Sequence, residues 1–527
     1  MSIGRVNTWK SLAATLALAL GIAGTAYAAE PHAQGTELLR TNCGGCHQER
    51  SGHFDRISSI RKTPEGWLMT LFRMRQVHGL NLDDPTREAL VRFLSDTQGL
   101  APSESAAGRF ALERRPNAQD LDLGPELGVM CGRCHSLARA ALQRRDADEW
   151  RKLAHMHVGQ WPSLEYSASG RDRPWFQIAT ETLPAKLQAL YPESSAAWSN
   201  WKKHKIADLS GDWVVVGKIP GKQDFFGTAR IERDAAGDYR ARYELADVDG
   251  IAFPGESKAI VYTGYEWRGS AEVNGRIVRE VYAVSEDGDR ISGRWFEADH
   301  PEDGGEWLAV RDKGVAQVLA VLPQAIRAGT VTTVTVVGTG IASNAGTVSF
   351  GDSTTATALE RTTHSIRARV NVTAGATPGL RVVAAGAAEG KIAVYKQIDK
   401  VDVVPGYGIA RVGGGKTPPV TAQFEAMAST RLPGGELLSI GPVRASWRSA
   451  PFDAEATRTE DDKFAGHFDQ RGCFLPAGAG PNPAREYSGD NVGNLKVLAV
   501  VDDAGRSVEG GGHLIVTVQR WNNPPIY

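Results

Sequence analysis

The stretch Asn42-Cys43-Gly44-Gly45-Cys46-His47-Gln48 packs two thiols and an imidazole into five residues of a chain with only 5 cysteines among 527 residues. The pattern recurs in Met130-Cys131-Gly132-Arg133-Cys134-His135-Ser136, so four of the five cysteines lie in two C-x-x-C-H boxes. At this Cys and His content one such box arises by chance with odds of roughly one in a thousand. The spacing has a chemical reason. Two thiols three positions apart on a helical turn can each form a thioether to a haem vinyl group, and the next residue, a histidine, is then held under the iron. Zinc would need two further ligands per thiol pair, and no nearby H-x-x-x-H or second C-x-x-C supplies them. A redox dithiol does not require the trailing histidine and belongs in a βαβ context, which is missing here. Structural disulfides leave the histidine, present twice, unexplained. Cys43, Cys46, Cys131 and Cys134 are therefore the expected attachment residues of two c-type haems, with His47 and His135 as proximal ligands.

Haem irons of electron carriers usually take a distal Met or His. Of the five methionines beyond the initiator, 69, 74, 130 and 156 precede residue 207, as do eight of the 12 histidines. The two haem segments read as a duplication. "GTELLRTNC" upstream of the first box resembles "GPELGVMC" upstream of the second, and "TPEGWLMTLFRMRQVHG" parallels "DADEWRKLAHMHVGQWP". Thr63 and Asp146 are expected N-caps, Pro64 suits a first helical position, and Asp146-x-x-Glu149 resembles a capping box. Aligning Trp67 with Trp150 puts Met74 opposite His157. Each is two helical turns beyond its Trp, on the same face. Met74 and His157 are thus the expected distal ligands. His78 shares the Trp67 face, and His53 follows the first box closely. His155 and Met156 project roughly 140° and 240° away from Trp150. The alternative for Met74 is a core methionine, and for His157 a histidine satisfied by ordinary hydrogen bonds. In "DDPTREALVRFLSDTQGL", Asp84 is the expected cap, Pro85 the first helical residue and Gly99 the stop. The second repeat lacks so clean a counterpart. It continues into a helical stretch, 164–204, whose three tryptophans read as packing residues.

The first 28 residues read as a signal peptide: basic Arg5 and Lys10, the apolar run "SLAATLALALGIAG", and a small-x-small site at Ala26-Tyr27-Ala28. Export to a bacterial periplasm follows, and no later segment has the length and apolarity of a transmembrane helix. A net charge of −1 with 42% hydrophobic and 23% charged residues gives no electrostatic case for binding nucleic acid or an anionic membrane. After about residue 207 the hydrophobic period changes from 3.6 to 2. Residues 207–314, with "AAGD", "EDGD" and "VNG" as turns, are expected to form an antiparallel β-barrel or sandwich. Short strands rich in Thr, Val and Gly predict an immunoglobulin-like sandwich at 315–398, and a second at 399–527. Cys473, left over by count, reads as a buried inert thiol, with an intersubunit or reactive role as the alternative. The fold class is multidomain, an all-α dihaem cytochrome c domain (29–206) followed by three all-β domains.

This order of parts resembles the alpha subunit of quinohemoprotein amine dehydrogenase. The motifs "TPEGW…RM…HG" and "EW…HMHVGQWPSLEY…RDRPW" carry the resemblance in the haem domain. In the β domains it rests on order and size. The resemblance implies haem attachment at the four cysteines named above and proximal ligation by His47 and His135. It implies oxidation of primary amines by a cysteine tryptophylquinone held in a separate small (gamma) subunit, with a β-propeller (beta) subunit as third partner. This chain would then relay electrons through two haems to a soluble periplasmic carrier, a blue copper protein or a cytochrome c, and hold no catalytic residue itself. Two rival readings share the haem motifs: a dihaem cytochrome c peroxidase-like enzyme, and a binding or adhesion protein with accessory haems. The lack of a regular propeller repeat argues against a quinoprotein alcohol dehydrogenase.

Overall fold

A computed structural model describes residues 33–109, 121–132, 135–161, 173–205, 207–301, 303–341, 348–415 and 417–518. The expected signal peptide, Cys134 and residues 162–172 of the tryptophan-bearing stretch lie outside the described residues. The chain divides into two compact units, one ending at His204 and the other beginning at Lys205.

The N-terminal unit is built on helices. α1 (33–43) ends at Cys43, and a small hairpin of β1 (Glu49–Arg50) and β2 (His53–Phe54) follows the first box. After β3 (Ile60–Lys62) comes α2 (Pro64–His78), started by the Thr63 hydroxyl on Gly66 N and ended by Gly79 at φ 72°, a left-handed turn that glycine makes without strain. Its buried face is Pro64, Trp67 and Leu71. α3 (Asp84–Gln98) packs Leu90, Val91 and Leu94 inward. Its cap is Asp83, whose carboxylate accepts from Thr86 N at 2.8 Å. The expectation for Asp84 is thus off by one residue: in Asp-Asp-Pro either acid can cap, and with Asp83 in that role Asp84 becomes the first helical residue. A short α4 (Pro102–Ser105) closes the first repeat.

The second repeat holds α5 (Gly124–Cys131), α6 (Ala138–Ala141), β4 (Gln143–Arg145) and α7 (Ala147–Gln160). Asp146 caps α7 through Glu149 N at 2.7 Å. The reciprocal half of the expected capping box does not form, because the Glu149 carboxylate turns to Lys152 at 2.9 Å and to Arg56 and Arg145. α8 (Trp175–Gln177), a π-turn at Ile178–Thr182, α9 (Leu183–Leu190) and α10 (Ala196–Trp201) complete the unit. Trp175 and Trp198 are buried.

The repeats meet in a way their sequences do not announce. β3 and β4 pair antiparallel with Ile60 opposite Arg145, Arg61 opposite Arg144 and Lys62 opposite Gln143. Arg61 and Arg144 are also equivalent in the alignment that matches Trp67 with Trp150, so a local pseudo-two-fold axis passes between them, as in an isologous contact. The cation–π pairs Lys62 on Trp67 and Arg145 on Trp150 obey the same symmetry, at 5.4 and 5.8 Å. Both central arginines converge on one carboxylate. Arg61 grips Glu104 with two bonds of 2.8 and 2.9 Å, and Arg144 Nε lies at 3.3 Å.

In the C-terminal unit, eight strands close into an antiparallel barrel in sequence order: β5 (Gly211–Lys218), β6 (Asp224–Arg233), β7 (Tyr239–Asp247), β8 (Gly255–Tyr262), β9 (Glu266–Val273), β10 (Arg276–Val284), β11 (Arg290–Glu297) and β12 (Gly304–Arg311), the last pairing back onto β5. The "VNG" turn has both Asn274 and Gly275 at positive φ, the two-residue hairpin geometry that matches strand twist. Large inward side chains lie opposite glycines: Trp307 opposite Gly217 and Gly293, Trp295 opposite Gly305, Glu280 opposite Gly269. A Cβ at Gly217 would meet the Phe225 ring at 2.0 Å, so these glycines make the room that the rings fill.

Residues 317–395 form a four-stranded and a three-stranded sheet over one core containing Val334, Val336, Ile366, Val383 and Ile392. Residues 400–517 form two three-stranded sheets (Lys400–Val404, Glu425–Arg431, Leu437–Val443; and Ala422–Gln423, Cys473–Pro476, Gly466–Phe468) and a four-stranded one (Tyr407–Arg411, Arg506–Thr517, Gly493–Asp503, Ser446–Pro451). Phe424, Phe474, Val497 and Leu514 fill the core there. Among the described residues no helix is long and apolar enough to cross a membrane.

Candidate functional site

The first C-x-x-C-H box leaves the end of α1 as a tight turn. Cys46 N and His47 N both donate to Cys43 O, at 3.1 and 2.8 Å. His47 Nδ1 is 2.9 Å from Asp55 O. With that bond donated, Nε2 is the nitrogen left to ligate a metal, the usual arrangement for a ligating histidine. Met74 is half-buried on α2, while His78 and His53 are exposed. His53 Nε2 is 3.4 Å from Ser59 Oγ.

The second box follows the same logic. Cys131 ends α5, and the Trp175 indole clamps that helix end by donating to Met130 O at 2.9 Å. His135 Nδ1 is tied to Ser136 O at 2.9 Å and His157 Nδ1 to Leu153 O at 2.8 Å, which turns Nδ1 of each ring to the backbone. Their ring centres are 6.2 Å apart, at an interplanar angle of 38°. Metal–imidazole bonds of about 2.0–2.1 Å, and ring corners about 1.1 Å from the ring centre, put two imidazoles that share one metal about 6.3 Å apart. Burial pushes the His157 imidazole below its ordinary pKa, which favours the neutral, ligand-competent form. The neighbours weighed as alternatives are otherwise engaged. Met156 Sδ accepts from Arg73 Nη1 at 3.0 Å, and exposed His155 meets the Phe176 ring edge-on at 5.0 Å.

The surroundings also fit haem. Burial pushes the Cys43 and Cys131 thiols up to about 11. Arg73 and Arg139 are half-buried and repel one another, with burial the larger of the two effects lowering the Arg73 pKa. Lys62 is pushed far below the ordinary lysine range, first by burial and then by Arg145 and Arg73. Glu149 is the one acid among the groups acting on Lys62. A region with this excess of buried cations suits the two carboxylates of a haem. The Trp150 indole N–H is buried, with no hydrogen-bond partner among the described residues. Its counterpart, Trp67, donates to Gln98 O on α3, and among the described residues of the second repeat no helix supplies Trp150 with such a carbonyl. None of Arg73, Arg139 and the Trp150 N–H was identified from sequence. The Trp67/Trp150 alignment, together with the lack of so clean a counterpart of α3, was the available signal for the last.

Cys473 is buried at the start of strand Cys473–Pro476, and burial pushes its thiol up to about 11. Its burial agrees with the expected buried thiol. Among the described residues no disulfide joins Cys43, Cys46, Cys131 or Cys473.

Comparison with known proteins gives a consistent answer along the chain. Residues 33–198 match the model described as quinohemoprotein amine dehydrogenase A, alpha subunit, haem binding. Residues 206–312, 315–396 and 401–526 match domains II, III and IV of the same alpha subunit. No curated protein matches. Among solved structures, a redesigned β-barrel is 14% identical over 20% of this chain and 92% of its own, with a TM-score of 0.18. A de novo fluorescence-activating β-barrel is 20% identical over 20% and 93%, with a TM-score of 0.17. The Bacteroides ovatus mixed-linkage glucan utilization locus protein SGBP-B, in complex with a heptasaccharide, is 12% identical over 59% and 64%, with a TM-score of 0.20. TM-scores this low bear on neither fold nor function. The four family matches follow one another from residue 33 to residue 526 in domain order, and the chain belongs to the family of quinohemoprotein amine dehydrogenase alpha subunits.

Proposed function

We propose that this chain is the electron-relay subunit of a periplasmic primary-amine dehydrogenase. Membership of an alpha-subunit family implies further subunits and an oxidoreductase complex. Our reading adds a cleaved signal peptide (1–28), two covalent c-type haems, a tryptophylquinone on a small gamma subunit as electron source, a β-propeller beta subunit, and a soluble blue copper protein or cytochrome c as acceptor. It also takes 29–206 as the dihaem domain, 207–314 as the barrel, and 315–398 and 399–527 as immunoglobulin-like sandwiches.

Cys43 and Cys46 would tether one haem and Cys131 and Cys134 the other. His47 and Met74 would ligate the first iron, His135 and His157 the second. When bound, haem supplies reversible one-electron iron chemistry. The protein's task is to set potential and order through ligand identity, hydrogen bonding and burial. Asp55 O and Ser136 O orient the proximal rings, and Leu153 O orients His157. Arg73 and Arg139 offer positive charge to haem carboxylates, and Trp150 offers an unspent N–H. No residue of this chain is asked to make or break a substrate bond.

The observation that carries the reading is the duplicated C-x-x-C-H box with an imidazole pair spaced for one shared iron. Intact mass of the mature chain tests it. The expected value is about 1.2 kDa above the polypeptide, for two haems, together with a purely low-spin ferric EPR spectrum. A bare polypeptide mass would sink the proposal. A high-spin, five-coordinate signal would favour the dihaem peroxidase instead.

A further inference from the structure

A half-open cavity of about 1460 Å³ is lined by barrel residues such as Tyr243, Tyr282 and Trp307 and by residues 424–426, 442–447 and 468–471 of the following β domain. Its walls are aromatic. Tyr282 stacks on Trp307 with ring centres 5.4 Å apart, and Tyr243 and Phe225 approach the same indole at 5.0 and 6.2 Å. Rim acids have cations of their own: Glu297 pairs with Arg276 at 2.6 Å, Glu425 with Lys218 at 2.8 Å, and Asp469 with Arg471 at 3.1 Å.

Lys222, Arg444 and Asp247 also line the cavity, and Glu280 is the buried acid of the lining. Glu280, on β10, is 2% exposed. Its Oε1 accepts from Tyr243 OH at 2.7 Å, and its Oε2 accepts from Ser257 Oγ at 2.7 Å and Trp267 Nε1 at 2.9 Å. Three donors aimed at a carboxyl group favour the anion, while burial pushes its pKa upward. Among the described residues, no Lys, Arg or His forms an ion pair with it. A carboxylate offers about four acceptor positions, so one remains on Oε1. The barrel reserves this space deliberately: a Cβ at Gly269 would strike Glu280 Oε2 at 2.1 Å.

A buried carboxyl group held by three donors, with no ion-pair partner among the described residues and walled by π-faces, has the chemistry of a receptor for an apolar cation. We propose that the barrel binds an alkyl- or aralkylammonium ion, its charged end on Glu280 and its body against Tyr282, Trp295 and Trp307. This is a binding site in domain II, separate from the haem repeats, and it does not rest on the electron-relay reading.

Calorimetric titration of the full-length chain, without a quinone-bearing subunit, tests it with 2-phenylethylammonium and its neutral isostere 2-phenylethanol. The expected result is one saturable site per chain, with the haem absorption unchanged. Binding should be at least about tenfold weaker for the alcohol and for Glu280→Gln, since each removes one partner of the ion pair. Leu245→Trp, which fills the cavity opposite Gly227, should abolish binding while the chain keeps its circular dichroism. That variant decides the matter if Glu280→Gln does not fold. Absence of a saturable site, equal affinity for the alcohol, unchanged binding in Leu245→Trp, or an ammonium-induced shift of the haem bands would each overturn the proposal.

Discussion

At the scale of single residues, the chain divides its chemistry between ligands and the groups that orient them. If Met74 ligates the first iron, Met74→His should lower that haem's reduction potential by part of the roughly 0.8 V range that axial ligands span. A spectroelectrochemical titration in which the other haem moves would assign Met74 elsewhere. Glu104 makes a second prediction. Burial pushes its pKa upward, but the Arg61 hydrogen bonds and then Ala101 N prevail and hold it at about 2. Its unfolded value is about 4.3. A depressed folded pKa contributes stability above about 4.3 that is lost as pH falls toward about 2, here on the order of 3 kcal/mol. Glu104→Gln should therefore flatten the acid limb of the N-terminal unit's denaturation profile. It should also cost about 3–5 kcal/mol at neutral pH, since Arg61 and Arg144 would keep their charge without the acid. An unchanged acid limb in far-ultraviolet circular dichroism would assign that transition to other carboxylates.

At the scale of elements, the caps set how firmly the ligand helices are held. Asp146→Ala should destabilise α7 by about 1 kcal/mol, read as a lower denaturation midpoint, and should loosen His157 without removing it; no change would mean that packing around Trp150 alone fixes the helix. This level was largely readable in advance. Caps, the Trp face and the Met74/His157 correspondence are local, and a duplicated pattern states them twice. The β3–β4 ribbon was not readable, because Ile60–Lys62 and Gln143–Arg145 are three-residue, charge-rich segments with no strand signature. Their pairing partner lies far along the chain. For the same reason period-2 patterning and "VNG" indicated the barrel strands, whereas closure of β12 on β5 and the matching of glycines to rings depend on register. Glu280 could not be singled out from sequence, since an acid in "IVREVYAV" reads as the solvent side of a strand.

At the scale of the whole molecule, the two units should respond differently to loss of haem. Replacing Cys43, Cys46, Cys131 and Cys134 by Ala should lower the melting temperature of the N-terminal unit, whose buried cations would lose their expected carboxylate partners. The C-terminal unit, with its own three cores, should keep its transition. Differential scanning calorimetry should show two transitions with one displaced, and a concerted shift of both would contradict independent units.

The ribbon joining the repeats has one further consequence. Rotation about its axis exchanges Arg61 with Arg144, yet Glu104 belongs to the first half alone and serves both guanidinium groups. A lone first half that docked against a replica of itself would bring two carboxylates to a spot shaped for one. Two first halves could not form this ribbon without crowding, and separating the repeats would leave Arg144 without its carboxylate.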